Sequence, residues 1–138
     1  MSSELETSLL GTTLTSSLPT HQRLKNLSNT FSCSEDIVSR FAMSLSMNAG
    51  PVSADWEAKP LFERLTVLNG KSIRGKTLFK SDLALFLVML AVAEPEAESH
   101  HVRERFRLHW ERGVEMMAEG MGDLDWLEYL AEQFSKIN

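Results

Sequence analysis

Between Val102 and Met117, the apolar residues Val102, Phe106, Trp110, Val114 and Met117 recur at three- and four-residue intervals and form one face of a helix. Such a face must be buried against another element. Gly113 lies on it and, having no Cβ, lets a second helix come close to the backbone. The rest of the chain offers helical partners. Pro19-Thr20 fits a helix start, with Leu24, Leu27 and Phe31 as its stripe. Ser32-Cys33-Ser34-Glu35 reads as a capping box for a helix from Asp36 to about Met47, with Ile37, Val38, Phe41, Ala42 and Leu45 inward and Gly50-Pro51 as its stop. Leu83 to Ala93 is an apolar run of 11 residues, against the roughly 20 of a membrane helix. It reads as a buried helix stopped by Pro95. Gly120-Met121-Gly122 then breaks the chain, and Asp123 caps a last helix with Leu124, Leu127, Leu130, Phe134 and Ile137 on its core side.

Residues 1–11 are polar and small and read as a flexible lead. From Thr12 to Leu18 the pattern alternates, Leu14, Ser16 and Leu18 on one side and Thr13, Thr15 and Ser17 on the other, as in a half-buried strand. Strand, helix, turn, helix is the order of a ribbon-helix-helix unit, in which two chains pair their strands and close the open edge. An N-terminal tail before an ordinary helical hairpin is the alternative. In a ribbon-helix-helix unit the small hydroxyls Thr13, Thr15 and Ser17 would face the bases, and they discriminate poorly. Val52 to Pro60 reads as a loop with Trp56 inward, and Leu61 to Leu68 fits helix or extended chain equally. The expected architecture is mainly α: a ribbon-helix-helix-like N-terminal unit, a basic loop and three further helices in one domain spanning residues 1–138.

Charge is unevenly distributed. Residues 1–58, 59–93 and 94–138 carry net charges of −3, +4 and −6, which sum to the overall −5. A basic middle between acidic ends suggests one polyanion-facing surface. Its centre is Leu68 to Lys80, where Lys71, Arg74, Lys76 and Lys80, supported by Lys59 and Arg64, suit a phosphate backbone more than base edges. A solvated loop without a ligand is the bland alternative. The same stretch satisfies the P-loop pattern, from Gly70 to Gly75-Lys76-Thr77. The 61 residues that follow Thr77 read almost wholly as helix and offer no apolar strand ending in an aspartate for magnesium.

His100, His101 and His109 invite a metal reading. On a helix, however, His101 and His109 are offset by about 80° and two turns, so a solvated helix start is the simpler account. The single cysteine, Cys33, allows no intrachain disulfide and fits a cytoplasmic protein. It has no paired base and reads as structural. The N-terminus has no basic, apolar leader, so a secretory signal is not expected. Glu111 to Glu119 read as a solvated acidic face or a grip for a basic partner. No catalytic residue, metal ligand or cofactor is assigned.

Three segments resemble the DndE family of small bacterial DNA sulfur modification proteins. They are Ile37 to Met47, with an arginine followed by an apolar run through Ser44-Leu45; Gly70 to Phe79, a glycine and basic stretch ending Thr-Leu-Phe; and His109-Trp110-Glu111-Arg112-Gly113, a His-x-x-Arg-Gly pattern. Ser72-Ile73 departs from the acidic-aromatic pair the family tends to carry. The resemblance implies a non-enzymatic, homo-oligomeric subunit that binds double-stranded DNA, nicked duplex included. It would work beside the cysteine desulfurase, sulfur transferase and ATPase of a phosphorothioation system, away from membranes. It carries the DNA-contacting role onto Lys71, Arg74 and Lys76; Lys80, Lys59 and Arg64 are added from charge. A nucleotide-binding protein using Gly70 to Thr77, or an assembly adaptor, are the other readings.

Overall fold

The computed structural model describes residues 3–120. The expected last helix after Gly120 lies outside them. The chain runs α1 (Ser3–Gly11), β1 (Thr13–Thr15), α2 (Leu18–Phe31), α3 (Glu35–Asn48), β2 (Ser72–Arg74), α4 (Gly75–Phe79), α5 (Leu83–Ala93), a 3-10 turn (Ser99–His101) and α6 (Val102–Gly120). The mainly helical expectation holds. No helix among the described residues is long and apolar enough to cross a membrane.

α6 supplies the centre of the core. Val102, Phe106, Trp110, Val114 and Met117 are all buried, and α3 is its main partner. Gly113 fixes how close the two helices come: a Cβ there would stand 1.8 Å from the Ala42 carbonyl oxygen. Trp110 is fully buried, and its indole N–H donates to Ser39 Oγ at 2.9 Å, so its one polar atom is satisfied inside the interface.

Four expectations need correction. Residues 3–11 form a helix rather than a flexible lead: Leu9 is buried, with Leu5 and Leu10 packed beside it against the core. The strand is shorter than Thr12 to Leu18, because Ser17 caps α2 and Leu18 already belongs to that helix; Ser17 Oγ accepts from Thr20 N. Its partner comes from the same chain, since Leu14 faces Ile73 in an antiparallel pair of β1 with β2. One edge of β1 is therefore closed within the chain, by Ser72–Arg74. Finally, Ser34 and not Ser32 caps α3, accepting from Ile37 N, while Ser32 ends α2 with a left-handed φ of 55°.

The segment 61–70 is neither helix nor strand, yet it is anchored. Gln22 on α2 accepts from Thr66 N at 2.6 Å and Val67 N at 3.3 Å, and His21 Nδ1 meets the Asn69 carbonyl at 2.6 Å. Side chains of α2 thus satisfy backbone groups that lack a ladder of their own.

Candidate nucleic-acid interface

The cationic stretch is a built corner rather than a loop. In β2, Ser72 and Arg74 point outward while Ile73 is buried, the period-two pattern of a strand with one face on the core. The chain then turns into α4, whose Leu78 and Phe79 are fully buried. The Phe79 ring meets Phe86 edge-on at 5.4 Å and Phe106 at 4.9 Å. Arg40 closes the other end: its guanidinium donates to the carbonyls of Leu78 at 3.2 Å and Thr77 at 3.4 Å, which α4 is too short to satisfy. Arg40 therefore acts as a structural cap.

This support leaves Arg74, Lys76 and Lys80 exposed, and among the described residues none of them forms a salt bridge. Lys71 differs. It is half-buried, with its ammonium 3.2 Å from Glu35 Oε1, where His21 Nε2 also approaches at 3.8 Å. Lys59 pairs with Glu119 at 3.1 Å in the open, a contact of small energetic worth. Arg64 is exposed on the anchored segment 61–70. The structure thus places Arg74 on β2 and Lys76 on α4, with Lys71 just before the strand and Lys80 just after the helix, and leaves Lys59 and Arg64 on the preceding irregular chain.

The P-loop pattern has a different physical origin. A Cβ on Gly70 would stand 1.8 Å from the Ser16 carbonyl oxygen, and one on Gly75 would stand 1.9 Å from that of Leu9. Both glycines are needed for close backbone packing. Part of that backbone is also occupied: Lys71 N donates to Ser16 Oγ, Gly75 N donates to Thr12 O, and Ile73 lies opposite Leu14 in the pair with β1. The two glycines of the pattern are thus explained by packing against Ser16 and Leu9.

The acids of α6 also fall out differently from expectation. Glu111 is buried, and its Oε1 accepts from Ser17 N at 2.9 Å and Thr20 Oγ1 at 2.7 Å, placing a carboxylate at the N-terminus of α2. Arg107 bridges Glu111 and Glu104, and its hydrogen bond holds the Glu104 carboxyl below the usual value of 4.5. Glu115 is buried too, 3.6 Å from Arg23 and accepting from Lys59 N. An adaptor reading loses these two acids as a free surface.

His109 is the residue that sequence reasoning misplaced most. It is fully buried, with Nε2 2.7 Å from Glu94 Oε2 and Nδ1 2.8 Å from Ser46 Oγ. Arg112 Nε donates to the same serine oxygen, which leaves the Ser46 hydroxyl proton able to meet Nδ1 of a neutral imidazole whose Nε2–H donates to Glu94. Burial, the largest cause, lowers the His109 pKa below the ordinary 6.5 in spite of Glu94. Arg112 also donates to the carbonyls of Ser46, Gly50 and Pro51, closing the end of α3. His100 and His101 stay on the 3-10 turn, their rings 3.9 Å apart. Cys33 is half-buried against the core, in accord with a structural role.

The lowered pKa sets the sign of an acid response. The unfolded chain takes up a proton at His109 near pH 6.5 while the native state resists it, so stability is complete above that pH and declines as pH falls below it. Glu104, lowered from 4.5, adds a separate loss only in the more acidic range. Thermal melts from pH 7.5 to 5 should show the first decline, and His109→Gln should flatten it.

A mainly helical domain with a rigid, cationic strand–helix corner is the class that these features define. The chain belongs to the DndE family: residues 14–122 match the family described as DNA sulphur modification protein DndE. Among solved structures it is similar to DndE from Escherichia coli B7A, described as involved in DNA phosphorothioation modification. The two agree with a TM-score of 0.56 and 18% sequence identity over 78% of this chain and 98% of that one, a shared fold. No curated protein matches the chain in sequence. The His-x-x-Arg-Gly stretch now has a physical meaning here: His109 joins a buried polar network, Arg112 closes α3, and Gly113 admits it.

Proposed function

We propose that this chain is a non-catalytic DNA-binding subunit of a bacterial phosphorothioate modification system, acting in the cytoplasm with the system's other subunits and with copies of itself. It holds duplex DNA, nicked duplex included, through the phosphate backbone and with little sequence preference. The observation that carries this reading is the corner itself: Arg74 and Lys76 stand exposed on β2 and α4, elements locked from beneath by Ile73, Leu78 and Phe79. Cations carried on a fixed backbone suit phosphate contacts, which need charge density more than base-edge geometry. Lys71 joins them as the inner member whose charge Glu35 shares. The serine, histidine and carboxylate of Ser46, His109 and Glu94 are arranged in a chain of hydrogen bonds, but Ser46 and His109 are fully buried and Ser46 Oγ also accepts a hydrogen bond from Arg112 Nε. A buried, saturated serine supports a structural role over a nucleophilic one.

The test is charge reversal. Arg74→Glu with Lys76→Glu should weaken binding to unrelated duplexes alike, and each lost phosphate contact should lower the log–log salt slope by about 0.9. Gel shift with nicked and intact duplex reads the affinity and the structural preference together. Unchanged binding in the double variant, with the fold intact by circular dichroism, rules out this corner.

A further inference from the structure

From the placement of α5 we infer that its outer face is a self-association surface on which a second copy of this chain packs antiparallel, with the twofold axis passing near Val88. This rests on the proposed self-association and names where it occurs.

α5 is apolar all round, with no charged residue between Leu83 and Ala93. Leu83, Phe86, Leu90 and Ala93 turn into the core, which leaves Leu85, Val88 and Val92 exposed at 58%, 61% and 78%. Ala84 and Ala91 are exposed beside them. A helix apolar on every side is ordinarily covered on every side, and a continuous apolar strip marks an interaction site. The strip is close to self-complementary. Turning a second copy over about Val88 sets Leu85 against Ala91 of that copy and Ala84 against its Val92, large beside small, with Val88 against Val88; this is the isologous pattern of a twofold contact.

The charges beyond the helix choose the same orientation. Lys80 lies on the chain just before α5 and Glu96 on the chain just after it, both exposed. Antiparallel packing sets the end of α5 that carries Lys80 against the end of the other copy that carries Glu96 and Glu98; parallel packing would bring like charges together. Asp82, also on the entering side, meets the helix end whose own carboxylate, Glu94, is turned inward to His109. The acidic flank disfavours an anionic lipid surface as the occupant. This contact would engage Lys80 and leave Arg74 and Lys76 as the outer cations of the DNA-facing corner.

Light scattering after size exclusion, over a hundredfold range of concentration, tests the inference on the full chain. Val88→Glu, on an exposed site, should raise the dissociation constant by about tenfold or more by facing like charges across the axis. Lys80→Glu and Glu96→Lys should each weaken association, and the double exchange should restore it, which a mere folding defect would not do. An oligomer that survives Val88→Glu unchanged, or a double exchange that restores nothing, overturns the α5 surface while self-association stands. A wild-type chain that is monomeric throughout overturns both, and leaves the DNA reading to the separate gel shift.

Discussion

Replacing Gly113 by alanine should cost about 3 kcal/mol or more, and we expect the variant to lose its cooperative thermal transition or to melt far below the wild type. The added Cβ would lie 1.8 Å from the Ala42 carbonyl oxygen, with the Ala42 carbonyl carbon at 2.3 Å. The obstacle is backbone in the middle of α3, so no rotamer change relieves it; α3 and α6 must separate. That separation loosens the packing of Trp110 and Val114 and lengthens the Trp110 to Ser39 hydrogen bond. Gly11→Ala is the matched control. It sits at the end of α1 with nothing within 4 Å of its added Cβ, and should be neutral or slightly stabilising through the unfolded chain. Equal losses in the two variants would show that helix separation is not the cause.

Glu94→Ala should cost about 3 kcal/mol, read as a shift in urea midpoint at constant slope. Glu94 Oε2 accepts from both His109 Nε2 and Val52 N, so its removal strands two donors in the interior and opens a cavity between the ends of α3 and α5. Glu94→Gln keeps an acceptor oxygen and should retain most of the stability. The variant should also free the segment after Gly50, since Val52 is held from both sides: its N–H by Glu94 and its carbonyl by Arg105 at 2.7 Å. Hydrogen exchange at Val52 would report the release directly.

The ease of reading each part from sequence follows the range of the interactions that form it. α2, α3, α5 and α6 were legible because each has a local apolar period or run, and Gly113 because it falls on a stripe. β1 was legible from Leu14 and its neighbours, but its partner was not: Ser72–Arg74 offers a single apolar residue, Ile73, inside a basic run. The short α1 was hidden by polar neighbours, and its reason to fold is α4, far downstream. The cations of the corner were found by charge alone. What fixes them, Arg40 on α4 and Glu35 on Lys71, depends on contacts across tens of residues that no local pattern displays. The same holds for Glu111 and His109, which look like solvated polar residues until their distant partners are in place.

The carboxylate of Glu111 completes a helix whose cap, Ser17, lies 94 positions earlier. Arg103 likewise reaches back to Thr12 Oγ1 and Thr13 O, each at 2.8 Å. During synthesis, then, the first strand and helix emerge long before the residues that finish them, and the N-terminal third must wait unfinished until α6 has left the ribosome. Each such distant contact adds a loop-closure cost to folding, and chains cut before Arg103, which lack the partners of Thr12, Thr13 and Ser17, should be more open to proteases over β1 and the start of α2.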